Sequence, residues 1–395
     1  MRESDVAVVG AGPAGIGAAL AAARNGVSVV LIDENSAVGG HLRWTLAPQT
    51  GFEPALDGLT GIEIAGWAAG ALADAGVGVL TDSVAWGLFE ENVLGVATPD
   101  ASFRLRARAV VVATGSTDSV WPFPGWQLPG VMTATAALRA MHLDRVLPGF
   151  RCVVLGAGSL AEVVASDLTS CGAAVVLRAG NVDGLVAGGD GAVAWVESDG
   201  QRTACDAVIL AFGRQPDAEL ALQAQAALAY SPNDGVFVPW RDETLATRLA
   251  GVYVAGDAGG VGTAARSYVE GLVAGAAASG GDGLTDALER LREIAADQVP
   301  DSPLPAIADA TLVCRCEEVS AASIRTAINT GAISLNDIKR RTRAGMGICQ
   351  GIYCHRTVAQ MLSTETGIPL DTIVPMTARP PARLLSMAAM ADLET

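Results

Sequence analysis

Apolar residues in this chain come in short runs that end at glycine, and the spacing of those runs predicts alternating strands and helices. Over residues 5–33, "VAVVG" reads as a strand and "GAGPAG" as a tight turn. "IGAALAAARNG" then reads as an alanine-rich helix stopped at Gly26, and "VSVVLID" as a second strand. Residues 151–178, "RCVVLGAGSLAEVVASDLTSCGAAVVLR", repeat the plan about 146 positions later. Such a duplicated strand–turn–helix–strand unit is the layout of an α/β protein with two dinucleotide-binding domains. "AVVVATGS" (109–116), "DAVILAFGRQPD" (206–217) and "GVYVAGDAGG" (251–260) add apolar strands ending in glycine, the last followed by a helix from Thr263 to Ala278.

Beyond that helix the pattern changes. "SGGDG" (279–283) is a flexible break, 284–297 reads as a surface helix, and "VPDSPLP" (299–305) as an extended proline-rich linker. A small helical module follows from 311, with helices expected at 320–330, 334–342 and 355–366. The expected organisation is a first dinucleotide-binding domain from 1–120 with 241–282, and a second from 121–240. A helix and linker over 283–310, the module over 311–368 and a tail over 369–395 complete it. The tail carries "ARPPAR" and is expected to wrap a neighbouring surface or partner.

The first turn, Gly10-Ala11-Gly12-Pro13-Ala14-Gly15, is G-x-G-x-x-G between strand and helix. Its glycines serve the tight turn, the approach of backbone to a pyrophosphate, and close helix–strand packing. The helix N-terminus presents unpaired N–H groups and its positive dipole end to the phosphates. Asp33 stands 18 residues after Gly15, where a carboxylate accepts from ribose hydroxyls, with Glu34 beside it as a second candidate. Gly40 and His41 suggest a loop passing close to the ligand, and Gly256-Asp257 is placed for the flavin ribityl and phosphate. Val84 and the Ala113-Thr114-Gly115 turn complete the candidate wall. FAD is the expected ligand, with another adenine nucleotide in the same groove as the alternative.

The second turn, Gly156 to Ala161, would by itself suggest NAD(P), with Arg178 where a 2′-phosphate would sit. Only "AGNVDGLVAGGD" separates Arg178 from a hairpin-like stretch, "GAVAWVESDGQRTACDAVIL". A parallel crossover needs a dozen residues or more together with its helix. The second domain is therefore expected to be truncated and its turn a structural remnant.

Seven cysteines add chemistry. Cys314 and Cys316 form C-x-C; after 32 residues Cys349 and Cys354 form C-x4-C. Two close pairs folded together supply four soft thiolates, which suit an iron–sulfur cluster or zinc. Gly345, Gly347 and Gly351 crowd Cys349 and allow backbone to approach a bulky inorganic core, which favours [2Fe-2S] over a single zinc. The run Lys339, Arg340, Arg341, Arg343 would offset the charge of a four-thiolate cluster. Cys152, Cys171 and Cys205 lie in apolar stretches and read as buried small hydrophobes. No C-x-x-C occurs, which excludes disulfide-reductase chemistry of that kind.

Charge and composition narrow the class further. The net charge is −16, but residues 311–395 balance at +2 and the remainder at −18. An acidic body argues against nucleic acid as partner, and the locally basic module would suit an acidic electron-transfer partner or simply a solvated face. No leader, membrane span or disulfide scaffold is evident, so a reducing, cytoplasmic setting is expected. There are three histidines, His41, His142 and His355, and no Ser/His/Asp or paired-carboxylate set. His41 reads as structural or as nucleotide-facing, and His355 as a neighbour of the cluster or as surface. The chain reads as one that carries electrons rather than one that breaks substrate bonds.

"VVVATGSTDSVWPFPGWQLPGVMTATAA" and "CRCEEV…IKRRTRAGMGICQGIYC" resemble the large subunits of heteromeric, dye-linked amine and imino-acid dehydrogenases. The opine oxidase, D-hydroxyproline dehydrogenase and hydrogen cyanide synthase types belong there. The resemblance implies a two-dinucleotide-domain flavoprotein fold with a C-terminal [2Fe-2S] domain of bacterioferritin-associated-ferredoxin type. Cys314, Cys316, Cys349 and Cys354 would be the cluster ligands. It also implies an amino-acid-oxidase-like, FAD-containing beta subunit that oxidises the C–N bond, FMN at the subunit interface in some relatives, and a small ferredoxin-like gamma subunit. "GGHLRW" stands where relatives carry "GGQIYR", so His41 occupies a glutamine position.

Overall fold

Glycine, which carries no side chain, lets the first turn close. In the computed structural model, which describes residues 1–231, 236–294 and 306–391, strand β1 (Arg2–Val9) leads through the turn into helix α1 (Pro13–Arg24) and strand β2 (Val29–Ile32). A Cβ on Gly10 would stand 2.2 Å from the Ala113 carbonyl oxygen, and one on Gly15 would stand 1.7 Å from that of Gly10. Helix α2 (Gly61–Asp74) follows, capped by Thr60 in a reciprocal bond with Glu63. Strands β3 (Gly78–Leu80), β4 (Val84–Phe89), β5 (Val93–Ala97) and β6 (Ser102–Val112) complete the first stretch.

The sheet runs β3-β2-β1-β6-β5-β4. The first four are parallel and the β4–β5–β6 portion is an antiparallel meander. The last residues of β6 pair instead with β14 (Val252–Val254), registering Val112 with Val254. Helix α5 (Ala264–Ser279) returns against α1, and a Cβ on Gly271 or Gly275 would fall 2.0 Å or 2.2 Å from an α1 carbonyl oxygen, that of Ala14 or Ala18. Helix α6 (Leu284–Glu293) ends earlier than the expected 297, and residues 295–297 with the expected linker at 299–305 lie outside the described residues.

The chain divides into two units. The first comprises Met1–Ser116, Pro216–Val299 and Thr377–Thr395; the second comprises Thr117–Gln215 and Pro300–Met376. Residues 216–240, expected in the second domain, thus group with the first, and so does the end of the tail.

In the second unit, β7 (Val131–Thr133), α3 (Ala134–His142), β8 (Arg151–Leu155), α4 (Ser159–Ser170) and β9 (Ala174–Ala179) form the repeat. After β9 the chain makes no helix. It forms a three-stranded antiparallel sheet from β10 (Val186–Gly188), β11 (Trp195–Ser198) and β12 (Gln201–Ala204), then enters β13 (Ala207–Leu210). The parallel sheet is β9-β8-β13-β7. The same unit holds the C-terminal module: β15 (Leu312–Cys314), β16 (Val319–Ser320), α7 (Ala321–Asn329), α8 (Leu335–Thr342) and α9 (His355–Thr366). These helices fall where they were expected.

Gly271→Val should destabilise the first unit by about 3 kcal/mol, because a side chain there meets backbone rather than a movable side chain. Urea unfolding of the purified chain measures it; an unchanged midpoint would refute this account of the α1–α5 contact.

Candidate functional site

The first turn is built by three carbonyl and carboxylate contacts. Gly39 N–H donates to the Ala11 carbonyl at 2.7 Å, and Ala113 N–H to that of Val9 at 2.8 Å. The buried Asp33 carboxylate accepts from Ala11 N–H at 2.5 Å and from Asn35 N–H and Nδ2 at 2.8 Å and 2.9 Å. Asp33 therefore ties the end of β2 to the turn. Val84 follows Ser83, whose N–H donates to the Asp33 carbonyl at 2.9 Å. Gly40 has φ +52°, and a Cβ on it would meet Gly12 Cα at 2.8 Å. His41, half-buried, packs its ring 5.0 Å from that of Trp44.

Gly12 behaves unlike its neighbours. A Cβ there meets nothing closer than Gly40 Cα, at 3.9 Å. The protein itself does not require glycine at this position, with φ at −75°; an object brought to the helix N-terminus does. With Pro13 opening α1 and Ala14 buried behind it, this is a cradle that fits a dinucleotide pyrophosphate.

The expected Gly256-Asp257 turn is held by groups that the sequence did not single out. Asp257 accepts from Ser116 Oγ at 2.7 Å, Gly262 N–H at 3.1 Å and Ser267 Oγ at 3.2 Å. Gly256 N–H donates to Glu270 Oε2 at 2.9 Å. Glu270, 2% exposed, is gripped by Arg241 at 2.6 Å and 3.2 Å and by Arg266 at 3.2 Å. A lone carboxylate inside the apolar "SYVEGLVAGAA" helix was the available cue for Glu270. Thr114 Oγ1 donates to the Asp217 carbonyl at 2.5 Å, and Asp217 N–H to that of Gly115 at 2.9 Å. Arg383, from the tail, joins Asp217 to Glu34, at 3.1 Å from the latter. Ala382 N–H donates to the Trp86 carbonyl at 2.7 Å. The tail end thus folds on its own chain, and Glu34 is engaged by Arg383 while Asp33 serves the turn.

The second turn differs from the first in backbone as well as in setting: Gly158 is left-handed where Gly12 has φ −75°. Gly156 has φ +133° and Gly158 φ +83°. Arg178 pairs with Glu162 of α4, and no helix follows β9: the antiparallel strands at 186–188, 195–198 and 201–204 lead directly to β13.

The four cysteines of the module come together. Cys314 Sγ lies 3.8 Å from Cys316 Sγ, which lies 3.6 Å from Cys349 Sγ; Cys314 is also hydrogen-bonded to Cys354. Cys314 and Cys354 are 1% exposed and Cys316 is exposed. The Cys354 thiol and the Gly345 and Glu317 N–H groups favour thiolate at Cys314 and lower its pKa to about 5. Desolvation and the neighbouring Cys349 push Cys316 up to about 12, and its bond to Cys314 holds Cys354 well above the ordinary thiol value. Four thiolates so close coexist only with cations among them. A Cβ on Gly347 would lie 2.4 Å from Cys316 Sγ, so backbone hugs the sulfurs. The residues fit a [2Fe-2S] cluster.

The cationic run is partly engaged elsewhere: Arg340 faces Asp337 at 3.7 Å, Arg341 donates to the Thr330 carbonyl at 2.8 Å, and Arg343 pairs with Glu317 at 2.7 Å. His355 accepts from Met376 N–H at 3.4 Å, and burial, with Lys339, lowers its pKa to about 4, so it is neutral. His142 is buried 2.9 Å from Asp167. Cys152 and Cys205 are buried as expected, but Cys171 is exposed: it caps the C-terminal end of α4, where the chain turns outward.

Residues 4–182 and 180–271 match the pyridine nucleotide-disulphide oxidoreductase family, and 312–364 match the BFD-like [2Fe-2S] binding domain. The chain is 31% identical to one subunit of the opine oxidase of Rhizobium meliloti (strain 1021), over 98% of each chain. It is 28% identical to the corresponding opine oxidase subunit of Agrobacterium tumefaciens (strain Ach5), over 98% of this chain and 92% of that one. Among solved structures it resembles L-proline dehydrogenase from P. horikoshii, with TM-score 0.87 and 29% identity, covering 98% of this chain and 79% of that one. The chain belongs to the pyridine nucleotide-disulphide oxidoreductase family, among its FAD/[2Fe-2S] large subunits of heteromeric oxidases and dehydrogenases. It is an oxidoreductase subunit whose cofactors are FAD, or another adenine nucleotide in the same groove, and a [2Fe-2S] cluster. Among the described residues no helix is long and apolar enough to cross a membrane.

Gly12→Val and Gly15→Val should part company. The first should keep the fold and lose bound nucleotide, because its side chain enters only the ligand's space. The second should fail to fold stably, because its side chain meets the Gly10 carbonyl. Nucleotide released on denaturation, set beside thermal unfolding, reads both; full nucleotide content in Gly12→Val would refute the cradle.

Proposed function

We propose that this chain is the electron-transferring subunit of a heteromeric flavin-dependent dehydrogenase of amines or imino acids, of opine or hydroxyproline type. A partner subunit resembling amino-acid oxidases, with its own FAD, would oxidise the C–N bond. This chain would accept the electrons and deliver them to an external acceptor, for which a small ferredoxin-like subunit is one candidate. FMN at the interface with the partner is part of the same proposal, and a cytoplasmic setting accompanies it.

One observation carries the reading: a nucleotide cradle and a four-thiol set occur in a chain whose side chains form no acid–base constellation among the described residues. His41 packs at a tilt against Trp44, His142 pairs with Asp167, and burial beside Met376 lowers the pKa of His355 to about 4. Removing a proton from a substrate amine needs a positioned base. The relatives are named for one subunit of an opine oxidase, which points the same way. When bound, the [2Fe-2S] cluster supplies one-electron transfer. Gly10, Gly12 and Gly15 would admit the nucleotide, Asp33 would fix the turn beneath it, and Asp257 would close the far wall. Cys314, Cys316, Cys349 and Cys354 would hold the cluster, two shielded from water and one exposed to it.

The isolated chain, mixed with octopine, nopaline, proline or hydroxyproline and a redox dye, should give no steady dye reduction. Turnover should appear on adding the oxidase-like subunit. Dye reduction by the isolated chain would overturn the division of labour.

NADH or NADPH at millimolar concentration should leave the flavin and cluster of the isolated chain oxidised under anaerobic conditions. With residues 180–204 in antiparallel sheet, the second turn lacks the crossover that would enclose an adenosine, and most of the binding surface with it. Rapid bleaching of the visible spectrum would instead make the chain a self-contained reductase.

A further inference from the structure

The second dinucleotide unit lacks a crossover helix but keeps a small antiparallel sheet, as the first unit keeps its β4–β5–β6 meander, and that sheet has contacts of its own. Ala187 N–H, in β10, donates to the Pro124 carbonyl at 2.9 Å, and Val193 N–H to that of Pro129, also at 2.9 Å. The fit is close: a Cβ on Gly125 would stand 2.0 Å from the Ala187 carbonyl oxygen, and one on Gly130 would stand 2.8 Å from Val193 Cγ1. The sheet therefore fixes both ends of the Pro124–Pro129 loop. Trp126 sits between those ends, 2% exposed, in one apolar cluster with Phe123, Leu185, Ala187 and Val193.

The Trp126 indole N–H leaves this cluster to donate to the Leu312 carbonyl at 2.6 Å. Leu312 opens β15, two residues before Cys314. From the same loop the Gln127 carbonyl accepts from the Arg315 guanidinium at 3.2 Å, between the two cysteines of the first pair. The second pair is held from the other end of the unit. Gln215 Nε2 donates to the Ile352 carbonyl at 2.5 Å, and Ile352 lies between Cys349 and Cys354. Each cysteine pair thus has a backbone carbonyl fastened by a donor outside the module.

We propose that Trp126 and Gln215 are positioning residues for the cluster, and that the reduced second domain has become its scaffold in place of a nucleotide site. The geometry within the module explains the need. Cys316 is exposed, and the 345–354 segment is a succession of turns rather than a regular element. Sulfurs on such loops drift unless their backbone is anchored. Anchoring from two separate points, the Trp126 loop and the Arg214–Pro216 strand, would hold C-x-C and C-x4-C in fixed register. The small sheet then has a use: it braces the Trp126 loop, through the Ala187 and Val193 N–H groups.

The inference rests on the four cysteines holding the cluster, and its test separates the two. Full-length Trp126→Phe keeps the ring and loses the donor; Gln215→Leu keeps the bulk and loses the amide. Each should lose its cluster to a chelator about tenfold faster than the parent chain, the rate equivalent of one hydrogen bond. The midpoint potential should rise and the EPR line shape broaden, because loosened loops admit water to the buried sulfurs. Bound nucleotide should be unchanged, and Arg202→Ala, on the exposed side of the small sheet, should alter none of these readouts. Should Trp126→Phe fold poorly, Gln215→Leu alone decides. Lifetimes within twofold of the parent chain, with potential and EPR unmoved, would overturn the scaffold. A parent chain without iron would overturn the cluster assignment itself.

Discussion

Backbone-to-backbone approach without side chains is the constraint on which the first unit depends. Helices α1 and α5 touch where Gly271 and Gly275 face the carbonyls of Ala14 and Ala18, and the glycine turn closes where Gly10 faces Ala113. That closeness places the α1 N-terminus, the end of β6 and the Gly256-Asp257 turn around one groove. A bulkier interface would separate the walls and leave no groove narrow enough for a pyrophosphate. Glu270 depends on the same closeness: only beside α1 is it buried deeply enough to need Arg241 and Arg266 together. A buried carboxylate gripped by two guanidiniums and a backbone N–H is satisfied in full, and the loss of either arginine would leave a charge without water.

What was legible in the sequence was local. The turn at Gly10, each close cysteine pair and each module helix announce themselves locally, because strand–turn–helix chemistry and helix capping act over short range. Ser320 and Ser334, as N-caps that accept from backbone N–H groups, mark two of those helices where the pattern placed them. The missing crossover helix after Arg178 was also readable, since most of the stretch before β13 patterns as a hairpin.

What was not legible was partnership at long range. Trp126 meets Leu312 across 186 positions, Tyr268 meets Glu53 across 215, and Arg383 meets Asp217 across 166. Neither member of such a pair carries a mark of the other. Arg383 sat in a tail that composition alone assigned to an unspecified surface, and its partner Glu34 read naturally as a ribose ligand. Cys171 misled for a related reason: its neighbours are apolar because α4 buries one face, while Cys171 itself stands just past the helix end, on the turn where that face gives way to solvent.

The two halves of the duplicated fold differ by one local change, the loss of the crossover helix and strand after β9. The first keeps its crossover and its groove. The second keeps β8, the turn and α4, which are needed to complete a sheet and a core, and gives up the segment that only a nucleotide would require. Stability alone would be served by a short loop between β9 and β13. The chain instead devotes about twenty-five residues, 180–204, to a separate antiparallel sheet whose inner face joins the Phe123–Trp126 cluster. That sheet packs against a loop whose Trp126 reaches the strand that carries Cys314, and this contact is the one the scaffold proposal uses.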